Sequence, residues 1–327
     1  MRRFLLLIIF VSAAFAQDLL VRQLPADDLV RIKEFYRLAA STQEHIWPGW
    51  ENTPSPLLLV TPDSECLTHH PSPPKEFAKL AEDLYCRPRQ FPQNFQATFP
   101  AFGFPPVIVI GEPANTLSKS TTPWMFTVMH EHFHQLQWAQ PGYLKAIDAL
   151  DLSHGDTSGM WMLNYPFPYE GAEVTKSFSA LRDLLLRSLA EQDQTAFGKL
   201  AAEYVRERAK FFAQFSSDDH KYFSFQLWQE GIARYTEVKS AEAAAQYRPT
   251  DAFAKLADYE PFSKYAEEAR QKTLSELKEA DLATWKRTVV YSFGAAEGFL
   301  LDRINPRWKE GYLQNLLSTD MYFETGK

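Results

Sequence analysis

Five consecutive residues, His130-Glu131-His132-Phe133-His134, carry the residue types of a hydrolytic metal centre. Two histidines four apart, with a glutamate directly after the first, form an HExxH pattern that has chemical meaning only on a helix. Four residues of α-helix advance about 40° beyond one turn, so His130 and His134 stack on one face and can present imidazole nitrogens to one metal. Glu131 lies beside that face, where its carboxylate can hold a metal-bound water and take its proton. His132 points away and reads as a packing or outer-sphere residue. From background residue frequencies an accidental match in a chain of this length is roughly a one-in-a-hundred event.

Catalytic zinc usually takes three protein ligands and leaves its fourth position to water, so a third ligand must come from elsewhere in the chain. Two glutamates compete. Glu230 is followed by Gly231 and Ala233, whose small side chains let its helix approach the metal-bearing helix closely. Glu170 shares the Glu-Gly pair but starts just after Pro166 and Pro168. Glu230 is the favoured ligand; Glu170 is the alternative, and otherwise a solvated acid at a helix start or a carboxylate near the substrate cleft. His45, His69, His70, His154 and His220 lack ligand spacing, and of these His154 is a candidate for the cleft wall.

The elements that must position these groups follow from proline content and periodicity. Residues 123–139 read as the metal-bearing helix, with Thr122 as N-cap, Pro123 in the first position and Pro141-Gly142 as the stop. The surroundings of Glu230 read as helical from 221 towards 245. Thirteen of the 21 prolines fall between Pro48 and Pro113, so after an amphipathic helix at about 27–40 this stretch is loops and short strands. Residues 107–110, an apolar β-branched run, read as a buried strand. No proline occurs between Pro168 and Pro249, and the Leu, Ala and Phe spacing there is that of core-packing helices. Helical patterns also cover about 262–280, 283–303 and 306–317. The fold class is α+β: a small mixed sheet in the N-terminal half and a mainly helical C-terminal part.

Composition restricts function. With 45% hydrophobic residues and a formal charge of −7 the chain can bury a core, and it offers no phosphate-tracking surface, so nucleic acid is excluded as a partner. Arg2 and Arg3 precede an apolar run and an Ala14-Phe15-Ala16 cleavage pattern, so residues 1–16 read as a signal peptide cut after Ala16. The run is too short to span a bilayer. The mature chain then has 32 basic and 41 acidic residues, no membrane association, and a secreted or periplasmic address. In an oxidising compartment Cys66 and Cys86 can pair, stabilising their loop by roughly 3 kcal/mol; two free buried thiols are the alternative.

HEHFH, the Glu230-Gly231-Ile232-Ala233-Arg234-Tyr235 helix, and Tyr291-Ser292-Phe293-Gly294-Ala295 running on to Leu300-Leu301-Asp302 resemble the gluzincin metallopeptidases, specifically their aminopeptidase-N-like branch. The resemblance spans about 105–305. It implies a thermolysin-like catalytic domain over 105–327, behind an N-terminal helix and proline-rich segment over 17–104. It implies Zn2+ on His130, His134 and Glu230, Glu131 as general base, and Tyr291 as the phenol that steadies the oxyanion, with Tyr235 the next phenol to consider. A peptide or protein is then the substrate. The stretch between His134 and Glu230 is longer than in that branch, which implies an inserted helical pair capping the cleft. The branch's Gly-x-Met-Glu-Asn motif is absent, with Gly111-Glu112-Pro113-Ala114-Asn115 a loose echo of it, so exopeptidase and endopeptidase both stay open, as do a zinc hydrolase of another substrate class and a non-catalytic binding protein.

Overall fold

The structure, a computed structural model, describes residues 24–324; the expected leader and its cleavage point lie outside the described residues. Its sheet is built from β1 (Leu57–Val60), β2 (Ser64–Thr68), β3 (Ala78–Ala81), β4 (Leu84–Pro88), β5 (Gln96–Phe99) and β6 (Val107–Gly111). The order is β3-β4-β2-β1-β6-β5, antiparallel except for the parallel β1–β6 pair. Strands covered on both faces are written as unbroken apolar runs rather than alternation, and β1 (LLLV) and β6 (VIVIG) are buried at every position. Leu57, Leu59, Ile108 and Ile110 enter the main core, while Leu58, Val60, Val107 and Val109 form a smaller one with Phe77. Cys66 and Cys86 stand directly opposite each other on β2 and β4 and are joined as a disulfide. Five strands precede residue 105 and β6 follows it, so the sheet is assembled across the boundary expected at 104/105.

The helices of eight or more described residues are α1 (Ala26–Ile46), α2 (Thr121–Trp138), α3 (Tyr143–Leu150), α4 (Ala172–Ala190), α5 (Gln194–Ala213), α6 (Ser217–Gln226), α7 (Ile232–Ala244), α8 (Phe262–Glu279) and α9 (Val289–Ile304). Three expected helices are broken or shortened. The one around Glu230 divides into α6, a π-helical turn (Leu227–Gly231) and α7. That over 283–303 stops at Trp285 and restarts as α9, because Lys286 takes a positive φ of 48°. That over 306–317 shrinks to Trp308–Tyr312.

Helix α2, which carries His130 and His134, is buried nearly all round, so its polar groups must find partners inside the protein. Trp124 Nε1 donates to the Gly111 carbonyl at the end of β6 (2.8 Å). Gln135 Nε2 donates to the carbonyls of Pro56 and Pro106 at the start of β1 and β6 (2.9 and 2.8 Å). These bonds lay α2 along the central strand pair. Its start is one turn detail different from expectation: Ser120, not Thr122, is the N-cap, and Pro123 falls third, where the missing N–H still has no intrahelical acceptor. The free N–H of Thr121 is met from a distance by Asp258 (2.9 Å), and the Thr122 hydroxyl donates to the Glu260 carbonyl (2.7 Å).

Candidate metal centre

His130 and His134 do stack on one face of α2. Their Nε2 atoms lie 3.2 Å apart, and Glu230 Oε2 approaches them at 3.6 and 3.4 Å. A point equidistant from these three atoms lies about 2.0 Å from each, which is the bond length zinc makes to imidazole nitrogen and carboxylate oxygen. The residues present therefore fit a zinc ion. Among the described residues these three form the His/Cys/Asp/Glu group able to hold a metal. Glu170 is not part of it: its carboxylate is exposed and pairs with Lys286 at 3.0 Å.

Glu230 sits in the π-helical turn, a distortion often found at functional sites. Gly231 serves a close approach, though to a different partner from the one its sequence suggests. A Cβ there would lie 2.7 Å from Gly294 Cα and 2.9 Å from the Val290 carbonyl, so the turn rests backbone to backbone on α9, the helix of Tyr291.

Outer groups fix the ligands. Gln137 Nε2 donates to the carbonyls of Trp228 and Gln229 (3.1 and 3.2 Å), which turns Oε1 towards His134 Nδ1 at 2.7 Å. The ring proton of His134 is therefore on Nδ1, and its Nε2 lone pair faces the metal position. His130 Nδ1 lies 3.3 Å from Glu237 Oε2, without the alignment of a full hydrogen bond, and Glu237 Oε1 accepts from Arg234 at 3.1 Å. Burial disfavours a charged His130, but Glu230, Glu237 and Glu131 together outweigh it and raise the imidazole to about 9. Burial likewise opposes the charge of Glu230, yet His134 and His130 hold its carboxyl well below the usual range. His132 behaves as a packing residue: it lies between Gln135 (2.8 Å) and Gln43 (3.0 Å), stacks on Trp50, and is pushed by burial down to about 4.

These groups open on a cleft of about 900 Å3. Edge strand β5 forms one wall, and its Thr98 hydroxyl sits 2.8 Å from Glu131 Oε2, leaving the other carboxylate oxygen for the cleft. Tyr291 lines the cleft with its ring stacked over His130; burial first, and Glu230 second, push its phenol up, so it stays protonated. Tyr235 is no substitute, being buried and donating to Asp302 at 2.8 Å. His154 is not on the cleft wall, although Ser158 and Met160 just after it are. The helical pair α4 and α5 does not cap the cleft: it packs behind α9, through Phe178 on Phe293 and Arg208 on Glu297.

Sequence reading missed Thr98, Gln137, Glu237 and Arg287. Gln137, Glu237 and Arg287 stand at helical spacing from His134, Glu230 and Tyr291, a signal that was present; Thr98 reaches the site through tertiary structure. No protein-family model matches this chain, and no curated protein or solved structure matches it either.

Proposed function

We propose that this chain is an exported zinc-dependent metallopeptidase of the gluzincin type. The observation that carries the reading is the triangle of His130, His134 and Glu230 donor atoms, 3.2–3.6 Å on a side, on the wall of a cleft that also presents Glu131 and Tyr291. Zinc held there supplies Lewis acidity and a water acidified towards neutral pH. Glu131 takes the proton of the attacking water as the new C–O bond forms, then passes it to the departing amine nitrogen as the C–N bond breaks. Peptide plus water thus gives acid plus amine. Thr98 keeps the Glu131 carboxylate turned into the cleft, and the protonated Tyr291 donates to the carbonyl oxygen as charge develops on it.

A peptide substrate is favoured by β5, an outer strand whose free edge can pair with an extended chain laid along the cleft. Export is supported by the Cys66–Cys86 disulfide. The test is digestion of a peptide library by the zinc-loaded protein, with chelator and Glu131→Gln as controls. Wild type should yield products, chelator should abolish them, and Glu131→Gln should keep its zinc while losing on the order of 10²–10⁴ in kcat. A zinc-loaded wild type that releases no peptide products would reject the peptidase reading, and the same protein with esters or amides would then show whether a non-peptide hydrolase or a binding protein replaces it.

A further inference from the structure

We propose that Arg287 is a catalytic residue of this site, a second and positively charged donor to the carbonyl oxygen of the scissile bond beside Tyr291. The proposal rests on the peptidase reading above. Its starting point is the break in the helix expected over 283–303. Lys286 has φ 48° and ψ −129°, a left-handed conformation that costs a side-chain-bearing residue about 1–3 kcal/mol and persists only where the surroundings impose it. Lys286 points outward to Glu170, and Arg287, in the short 3-10 turn (Lys286–Thr288), lines the cleft one helical turn before Tyr291.

The contacts of Arg287 show how its donors are used. Nη1 donates to Gln226 Oε1 at 3.1 Å and lies 3.6 Å from Glu230 Oε1, the oxygen of that carboxylate not aimed at the histidines. Nη2 donates to the Tyr291 oxygen at 3.4 Å. Gln226 is itself anchored through Nε2 on the Met162 carbonyl at 3.0 Å. A purely structural Arg–carboxylate pair closes tightly, as Arg208 and Glu297 do at 2.6 Å in this protein. At Arg287 the charged contacts stay long, and its Nε–H has no acceptor among the described residues while not being fully buried. The guanidinium is held in place with donor capacity to spare, adjacent to both the metal-ligand carboxylate and the phenol.

Chemistry gives that spare capacity a use. As water adds to the carbonyl carbon, negative charge gathers on the oxygen, and a preorganised donor aimed there lowers the barrier without reorganising. Tyr291 brings a neutral hydroxyl. Arg287 brings a fixed positive charge that no working pH removes. The rival role is positioning, in which Arg287 acts only by holding Tyr291 or Glu230.

The experiment uses the zinc-loaded protein and a peptide phosphonate, whose tetrahedral anionic group copies the charge of the transition state. Zinc content, phosphonate affinity by calorimetry, and kcat and KM on a cleaved peptide are compared for wild type, Arg287→Met, Tyr291→Phe and the double variant. Arg287→Met should keep its zinc and a KM within about threefold, lose about 10²–10³ in kcat, and lose phosphonate affinity by a similar factor. The double variant should lose more than either single variant, though less than the product of their losses because the two side chains touch. If Arg287→Met costs nothing further in the Tyr291→Phe background, Arg287 acts only through Tyr291 and the proposal is overturned; loss of zinc would overturn it by making Arg287 a prop for Glu230. Should Arg287→Met not fold, Arg287→Gln decides: it keeps hydrogen-bonding capacity but not the charge, and unchanged phosphonate affinity would refute the proposal. A wild type that binds neither zinc nor phosphonate removes the peptidase reading itself, whereas one that binds both, with affinity indifferent to residue 287, removes only the role of Arg287.

Discussion

Gly231→Ala tests the crossing that sets Glu230 beside His130 and His134, where it would serve as the third metal ligand. The new methyl carbon would sit 2.7 Å from Gly294 Cα and 2.9 Å from the Val290 carbonyl oxygen. Carbon atoms rest at about 3.5–4.0 Å, so the π-helical turn and α9 must part by about 0.8 Å, and both obstacles are backbone that no rotamer change can move. Overpacking of this kind costs about 1–3 kcal/mol. Alanine returns about 0.5–1 kcal/mol of helix propensity, which leaves a net loss of up to about 2.5 kcal/mol where Gly198→Ala should gain. The control is Gly198→Ala in α5, where nothing lies within 4 Å of the added methyl and the same propensity gain should stand alone as a stabilisation. Urea unfolding of the metal-free proteins reads both values. Glu230 rides on the displaced turn, and a shift of about 0.8 Å far exceeds the ±0.2 Å that a metal site tolerates. Zinc affinity, measured against a chromophoric chelator, should therefore fall by about 10–100-fold in Gly231→Ala and stay constant in Gly198→Ala. A Gly231→Ala protein as stable as Gly198→Ala, with wild-type zinc affinity, would refute both the close crossing and its role in placing Glu230.

Three further outcomes follow from the same geometry. Glu230→Ala should strip zinc from the protein while Glu170→Ala leaves it bound, as read by metal analysis after dialysis; the reverse result would make Glu170 the ligand. Replacing Cys66 and Cys86 together by alanine should cost about 3 kcal/mol in urea unfolding under non-reducing conditions, and two alkylatable thiols in the native protein would contradict the pairing. Because zinc must displace the proton of His130, whose imidazole is raised to about 9 in the metal-free protein, zinc affinity should rise with pH and level off above about 9, with a proton released per zinc at neutral pH. Calorimetry in buffers of different ionisation enthalpy measures that release, and an affinity indifferent to pH between about 6 and 8 would show that His130 holds no such proton.

What the sequence could reveal about this site was set by range along the chain. His130, Glu131 and His134 are placed by four residues of one helix, whose rotation per residue is known before any fold is. The strand over 107–110 was legible for a similar reason, since an apolar run without alternation is what a strand covered on both faces requires, whereas 57–60 reads only as part of a proline-rich stretch of loops and short strands. The π-helical turn was not legible, because it differs from α-helix by one residue of spacing and none of Leu227 to Gly231 is a residue type that signals it. That single insertion falls at Glu230, and Gly231 directly after it meets α9 rather than the helix of the histidines. Arg287 stands four residues before Tyr291, a helical spacing the sequence does show; the helix break just before it is not legible, being a positive φ at a lysine, where sequence would lead one to look for glycine or asparagine. Thr98 belongs to a segment that sequence alone separates from the one carrying the histidines, and it touches Glu131 only because β5 pairs with β6 and α2 lies along that sheet. The atoms that would bind the metal are thus specified largely by periodicity within single helices. Of the atoms that would surround the substrate, Thr98 on one wall is placed by how separate elements meet and Arg287 on the other by the turn directly before α9, and these are the positions where substitution should change chemistry while leaving the metal in place.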